Sequence, residues 1–243
     1  MGDPIISVKD VNKTFRLPSG DVSVLHDISL EIQPQSFTII YGPSGSGKTT
    51  LLNTLSCLEE PTKGAVLING QPVYDLSGDG RARFRSKNLG LVYQANYWVK
   101  SLSVVENVAM PLFVAGWDMS MAKKKAFETL RQIGMEGFAD YRPTLLSGGQ
   151  QQRVSMGRAL VADPTIVLAD EPTGNLDSKA GDMVMDLLKK VQQDFGRTVV
   201  LITHNLDYLP YSDKQIHILD GRIVPNDKPH ERQLAKDRAL KHA

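Results

Sequence analysis

The stretch that most restricts the fold is the glycine-rich segment Gly42–Thr49, which reads GPSGSGKT. The apolar run Phe37–Tyr41 precedes it and Thr50–Leu55 follows it, an order that predicts a buried strand, a tight turn and a helix. This order fits G-x-x-x-x-G-K-[ST], a loop whose backbone N–H groups surround phosphate oxygens. Glycines let those groups converge, and the helix N-terminus attracts an anion. The segment therefore predicts a nucleoside triphosphate site.

Each position of this loop is a candidate for nucleotide binding. Lys48 is expected to reach the β- and γ-phosphates, and the Thr49 hydroxyl is expected to ligate Mg²⁺. The alternative is a flexible turn without a ligand, which the flanking strand and helix disfavour. The predicted binding residues here are Gly42, Pro43, Ser44, Gly45, Ser46, Gly47, Lys48, Thr49 and Thr50.

Composition limits the class of protein and its partners. The chain has 243 residues, of which 41% are hydrophobic and 23% charged, as in a single α/β domain with a large core. A net charge of +1 gives no long-range attraction to nucleic acid, so no nucleic-acid partner is expected. No secretory signal is recognisable at Met1–Pro4 and no apolar run reaches the roughly 20 residues of a membrane helix, so we expect a cytoplasmic chain.

The pattern of strands and helices predicts an α/β fold. Apolar and polar residues alternate in Ile5–Lys9 and Val22–Ile32, which predicts an N-terminal antiparallel β-subdomain. Buried strands then alternate with helices, which predicts a mostly parallel sheet of the P-loop NTPase type. A helical subdomain is expected at about 95–162, inside a domain of residues 1–228, and 229–243 reads as a charged tail.

Two adjacent carboxylates close the apolar run that ends at Ala169. Ligands bind at strand ends in open parallel sheets. Asp170 is expected in the Mg²⁺ shell, and Glu171 is expected to orient and deprotonate an attacking water. The alternative is a pair of solvated acids in a turn favoured by Pro172.

A second glycine-bearing helix start lies at Ser147–Gln150. Ser147 and Gln150 have the spacing of a capping box, which explains both residues without a ligand. Glycines in the first turn cost about 1 kcal/mol each relative to alanine, and a cap does not require them. The segment therefore suggests a second phosphate contact, or the same phosphate reached from another subunit.

Leu146–Gln150 resembles the signature of the ATP-binding cassette (ABC) ATPases, and the resemblance runs from Ile5 to Val224. It implies the ABC ATPase fold with ATP and Mg²⁺ as ligands. It also implies a head-to-tail homodimer in which each ATP lies between Gly42–Thr49 of one chain and Ser147–Gln150 of the other.

The resemblance also assigns roles outside the phosphate loop. Phe15 resembles the aromatic residue that stacks on adenine, and Gln94 the glutamine that senses the γ-phosphate and Mg²⁺. Asn175–Asp177 resembles the loop that touches the opposite subunit, and His204 the switch histidine. By resemblance the catalytic residues are Glu171 and His204, the metal ligands Thr49, Gln94 and Asp170, and the further nucleotide contacts Phe15, Ser147, Gly148, Gly149, Gln150 and Asp177.

The exact residues of these motifs are similar to those of the lipoprotein-releasing and macrolide-exporter branch of the family. That branch implies a separate membrane-spanning permease, contacted through the Gln94 loop and the helical subdomain, and a peripheral location on the inner face of the membrane. The loop departs from the family pattern at 95–98, where Trp98 is a candidate anchor for a partner helix. The alternatives are an ATPase of a signalling or cell-wall regulatory membrane complex, and a soluble ABC ATPase.

Overall fold

The computed structural model describes residues 2–225, so the predicted tail at 229–243 lies outside the described residues. The strands are β1 (Ile6–Leu17), β2 (Gly20–Ile32), β3 (Phe37–Tyr41), β4 (Lys63–Ile68), β5 (Gln71–Pro72), β6 (Leu89–Tyr93), β7 (Ile166–Asp170), β8 (Thr198–Thr203), β9 (Lys214–Leu219) and β10 (Arg222–Val224). The α-helices are α1 (Lys48–Leu55), α2 (Gly78–Asn88), α3 (Val104–Val114), α4 (Met119–Gln132), α5 (Gly148–Leu160) and α6 (Ser178–Gln193).

The strands form two sheets. The first is antiparallel in the order β2-β1-β4-β5, and its long hairpin pairs Leu17 with Gly20 across a tight turn. The second has the order β10-β9-β3-β8-β7-β6. All its pairs are parallel except the edge pair of β10 and β9, which is antiparallel. Its central strands are continuous apolar runs because both faces are covered, one by helices that include α5 and α6 and the other by α1 and the antiparallel sheet. The predicted α/β class is confirmed.

The second sheet brings distant residues to one edge. Tyr41, the last residue of β3, pairs with Thr203 of β8, and Asp170 of β7 pairs with both Ile202 and Tyr93. Parallel strands end on the same side, so the residues that follow them meet there. This edge carries the phosphate loop, Gln94, Glu171 and His204.

The helical part packs through one apolar face of α4. Ala122, Ala126, Leu130 and Ile133 are all buried in the core that α4 shares with α3 and α5. Lys123 of α4 donates to Glu106 of α3 over 2.9 Å. The limits of the helical subdomain at 95–162 stay a prediction. Within residues 2–225, no helix combines the length and apolar character needed to span a membrane.

Helix α2 was not predicted, and its sequence shows why. None of its residues is buried, so it carries no apolar periodicity that a pattern could reveal. Its basic residues are used locally: Arg81 donates to Glu60 over 2.9 Å, and Arg85 donates to the Cys57 carbonyl over 3.2 Å. Cys57 itself is buried, and burial raises its thiol pKa to about 11.

The contact between α5 and β6 generates a stability prediction. A Cβ on Gly90 would lie 2.4 Å from the carbonyl oxygen of Ala159. Gly90→Ala should therefore push α5 from the sheet and lower the free energy of unfolding by about 1–3 kcal/mol, measured by urea denaturation. Gly137→Ala, where a Cβ meets no atom within 4 Å, is the matched control. Equal midpoints for both variants would contradict the close contact.

Candidate functional site

A cavity of about 530 Å³ opens at the edge where the parallel strands end. All but one of its lining residues were predicted from the sequence, the exception being Val24 of β2. The lining residues are Val24, Ser44, Gly45, Gly47, Lys48, Thr49, Thr50, Gln94, Glu171 and His204.

The glycines of the loop allow a tight fold around this cavity. A Cβ on Gly42 would lie 2.0 Å from the Ile218 carbonyl oxygen. Gly47 caps α1 with a φ of 96°, and no side chain bonds to the first N–H groups of that helix. Those N–H groups are donors without an internal partner, so the helix start suits an anion.

Lys48 lies beneath the loop. It is buried, and its Nζ donates to the carbonyl oxygens of Gly42 and Pro43 over 2.9 and 2.8 Å. Burial lowers the pKa of its ammonium, and the nearby carboxylates of Glu171 and Asp170 act in the opposite direction. A cation is therefore held against the loop, where phosphates would be contacted.

Asp170 and Thr49 form the oxygen-rich corner of the site. The carboxylate of Asp170 is hydrogen-bonded to the Thr49 side chain, and burial is the main cause that raises the pKa of Asp170. Its Oδ1 is buried without a hydrogen-bond partner. Such an oxygen fits a hard cation that takes few protein ligands and completes its shell with phosphate and water. Residues 2–225 hold no larger His/Cys/Asp/Glu cluster that would bind a metal by itself.

Glu171 and His204 form a contact pair at the cavity wall. Nδ1 of His204 lies 2.8 Å from Oε1 of Glu171, whereas Oε2 of Glu171 is buried without a partner. Glu171 has a φ of 47°, and its backbone N–H donates to the Ile202 carbonyl over 2.9 Å. One carboxylate oxygen is therefore oriented, and the other can accept a proton.

Gln94 reaches the cavity from the end of β6. Its Nε2 donates to Oδ1 of Asn175 over 3.2 Å, and a Cβ on Gly174 would lie 2.8 Å from the same nitrogen. Sequence reasoning placed Asn175 only in a loop toward another subunit. The contact with Gln94 inside the chain was missed, because nothing in the sequence pairs residues 81 positions apart.

Other predicted residues lie outside the cavity lining. Phe15 is half-buried on β1, where its ring centroid lies 4.8 Å from Nζ of Lys13. Asp177 caps α6 and accepts from the Ala180 N–H over 2.8 Å. Ser46 carries a buried hydroxyl oxygen without a partner. Gly42, Pro43 and Asp170 belong to the loop and strand end but do not line the cavity.

The second glycine-bearing helix start is also outside the lining. The predicted capping box is present, with bonds of 3.3 Å to Ser147 Oγ and 2.9 Å to Gln150 Oε1. The glycines have a packing reason that the sequence did not reveal: a Cβ on Gly148 would lie 3.2 Å from Leu176, and one on Gly149 3.0 Å from Ala180. Close approach to the start of α6 therefore accounts for both glycines within one chain.

Trp98 does not present its ring as an exposed anchor. It is half-buried against the core, and its indole N–H donates to Gln151 Oε1 over 2.9 Å. Its neighbour Tyr97 is 73% exposed. The polar edge of Trp98 is therefore used inside the chain, and its role as an anchor for a partner helix stays a prediction.

Comparison with known proteins gives a family match and close structural relatives. The ABC transporter family model matches residues 25–174. The ATP-binding cassette MJ0796 of Methanocaldococcus jannaschii, in a dimeric post-hydrolysis state bound to ADP and phosphate, is 38% identical with a TM-score of 0.83. The match covers 90% of this chain and 97% of that one.

Two named relatives differ in length. The lipoprotein-releasing system ATP-binding protein LolD of Pseudoalteromonas translucida is 39% identical, and the match covers 95% of this chain and 99% of LolD. The macrolide export ATP-binding/permease protein MacB of Syntrophobacter fumaroxidans is 42% identical over 91% of this chain. This chain spans only 31% of that MacB, so it corresponds to one part of the longer protein.

The environment of Asp170 generates a pH-dependent prediction. Its raised pKa means that the ionised carboxylate is less favourable in the folded chain than in the unfolded chain. Asp170→Asn keeps an oxygen acceptor for Thr49 and removes the charge. We expect a higher thermal unfolding midpoint at neutral pH, in buffer without nucleotide or magnesium.

The sign of this effect fixes its pH dependence. As the pH falls through the raised pKa, the wild-type carboxyl takes up a proton in the folded state. The difference in thermal unfolding midpoint between the wild type and Asp170→Asn should therefore become smaller. Asp140→Asn, at an exposed position, is the control and should match the wild type. A midpoint for Asp170→Asn below that of the wild type at neutral pH would contradict the assignment.

Proposed function

The chain belongs to the ABC transporter family, and from that premise we propose that it is an ATPase subunit whose two copies close head to tail around two ATP molecules. The observation that supports this most directly is a division within one chain. The phosphate loop, Gln94, Glu171 and His204 line one cavity, whereas Ser147–Gln150 lie outside it. A second chain is needed to bring the two parts together.

The phosphate loop binds the triphosphate. Backbone N–H groups of the loop and of the first turn of α1 surround the phosphate oxygens, and Lys48 moves from the carbonyls of Gly42 and Pro43 to the β- and γ-phosphates. Phe15 is the proposed platform for adenine, because an aromatic ring can stack on the face of a base. Val24, on the strand β2 that pairs with β1 at Phe15, lines the cavity.

Thr49 and Asp170 are the proposed Mg²⁺ ligands, with Gln94 as the third. The unpartnered Oδ1 of Asp170 and its hydrogen-bonded neighbour Thr49 provide the oxygen donors that this ion prefers. When bound, the ion neutralises charge that develops on the phosphate oxygens. Gln94 is oriented by Asn175, which fixes its amide at the cavity wall.

Glu171 activates the attacking water in this proposal. Its Oε2 accepts the proton, because this oxygen is buried and has no partner inside the protein. His204 orients the carboxylate through Oε1 and then contacts the γ-phosphate. The left-handed backbone at Glu171 places the carboxylate directly after the strand end.

Ser147–Gln150 complete the site of the opposite chain. Ser147 and Gly148 are exposed and stand at the start of α5, where a helix N-terminus attracts phosphate. ATP contacts both chains only when they close, so it binds the closed form more tightly and shifts the population toward it. The dimeric MJ0796 cassette with ADP and phosphate supports this arrangement.

A separate membrane permease is the proposed partner. The relatives LolD and MacB carry names of membrane systems, which favours this reading over the soluble alternative. A second cavity of about 440 Å³ lies between α2, β6, α3 and α5, near the Gln94 loop. Exposed Tyr97 and Val114 and the guanidinium groups of Arg85 and Arg158 line it, so it suits an amphipathic segment of the partner.

Replacement of the proposed base should separate binding from turnover. Glu171→Gln removes the proton acceptor, so we expect ATP hydrolysis to fall by about 10²–10⁴-fold while ATP binding is kept. The variant should form a dimer in Mg-ATP that sedimentation velocity detects. Glu128→Gln, at an exposed position of α4, is the matched control. Hydrolysis by Glu171→Gln at the wild-type rate would disprove its role.

Mixed dimers test the composite site. Lys48→Ala should weaken ATP binding at least about tenfold, because a charge-assisted contact to phosphate is lost. Ser147→Asp keeps a capping oxygen for α5 but places a negative charge where the partner's phosphate is expected. Each variant alone should be inactive, and an equal mixture should regain ATPase activity, since one site per mixed dimer is intact. A mixture as inactive as its components would contradict the head-to-tail arrangement.

A further inference from the structure

Three side chains of α5 contact the chain on either side of Gln94. Gln151 accepts the indole N–H of Trp98 over 2.9 Å, and Gln152 donates to the Tyr93 carbonyl over 3.1 Å. Arg158, at the other end of α5, donates to the carbonyl oxygens of Asn96 and Tyr97 over 2.5 and 3.2 Å. The loop is therefore fixed along most of the length of this helix.

Two of these three side chains, Gln151 and Arg158, also contact Trp98. The guanidinium of Arg158 lies 4.7 Å from its ring centroid, and the ring packs on the core beneath α5. Among residues 2–225, no carboxylate forms an ion pair with Arg158. Its charge is therefore directed to two carbonyls and an aromatic face, which a planar guanidinium can contact together.

Gln151 extends this contact to the start of α5. Its Oε1 accepts from Trp98, and its Nε2 donates to the carbonyl oxygen of Leu146 over 3.0 Å. Leu146 directly precedes Ser147, whose hydroxyl caps the helix. Both ends of one amide are used, so its rotation is fixed. A continuous path thus runs from Trp98 through Gln151 to the exposed helix start.

We propose that Trp98 is a positioning residue that ties the Gln94 loop to α5 and holds Ser147–Gln150 in the orientation needed by the partner's nucleotide. This inference rests on the proposed head-to-tail dimer. Its consequence is that a partner that displaces residues 94–98 also displaces the helix start that contacts ATP across the interface. Trp98 does not line the nucleotide cavity, so its effect on ATP is indirect.

The test uses dimerisation of the full chain as its readout. In a Glu171→Gln background, Trp98→Phe keeps the ring and removes the donor to Gln151. We expect binding of ATP to the monomer to be unchanged by calorimetry at low protein concentration. The dimer dissociation constant in Mg-ATP, measured by sedimentation equilibrium, should rise about fivefold for each of the two nucleotide sites. This is the effect of losing one neutral hydrogen bond per site. Trp117→Phe, at the second of the two tryptophans, is the matched control and should leave dimerisation unchanged.

Gln151→Leu provides an independent variant that leaves the indole and its packing in place. If the two residues act through one path, the double variant should dimerise no more weakly than the weaker single variant. The inference is overturned if Trp98→Phe dimerises like its parent, or if the two effects are additive. If the Glu171→Gln parent itself stays monomeric in saturating Mg-ATP, the head-to-tail dimer fails and this inference fails with it.

Discussion

The parallel pairing of four strands is the constraint on which the site depends. β3, β8, β7 and β6 lie side by side, and each ends at the same edge of the sheet. The chain leaves that edge at Gly42, Glu171, Gln94 and His204, so residues far apart in sequence become neighbours. Backbone hydrogen bonds fix the register, for example between Tyr93 and Asp170. A one-residue slip of β7 would turn Asp170 and Glu171 to the opposite faces of the sheet.

The site is maintained at a cost in stability. Buried oxygens of Ser46, Asp170 and Glu171 lack hydrogen-bond partners, although most buried polar groups in proteins are paired. Lys48 is desolvated beside two carboxylates. These groups lie around the loop and the strand ends, where a charged ligand would supply the missing contacts.

Much of the site could be predicted from sequence because its motifs are local. The loop Gly42–Thr49, the acidic strand end at Asp170 and the capping box at Ser147 are each determined by neighbouring residues. Contacts between distant segments could not be read in this way. Helix α2 could not be predicted because none of its residues is buried. The packing of Gly148 and Gly149 against the start of α6 depends on how two helices approach each other. The bond between the Trp98 indole and Gln151 is a further contact that only the tertiary structure shows.

The sequence by itself determined which chemical groups are present and the local turns that carry them, because glycine content, strand polarity and helix caps act over a few residues. Tertiary structure alone decided which of them share a cavity. It placed Lys48, Gln94, Glu171 and His204 together and left Ser147–Gln150 outside, because β-strand order and helix packing are set by the whole core. That division is why a second copy of the chain is proposed to complete the nucleotide site.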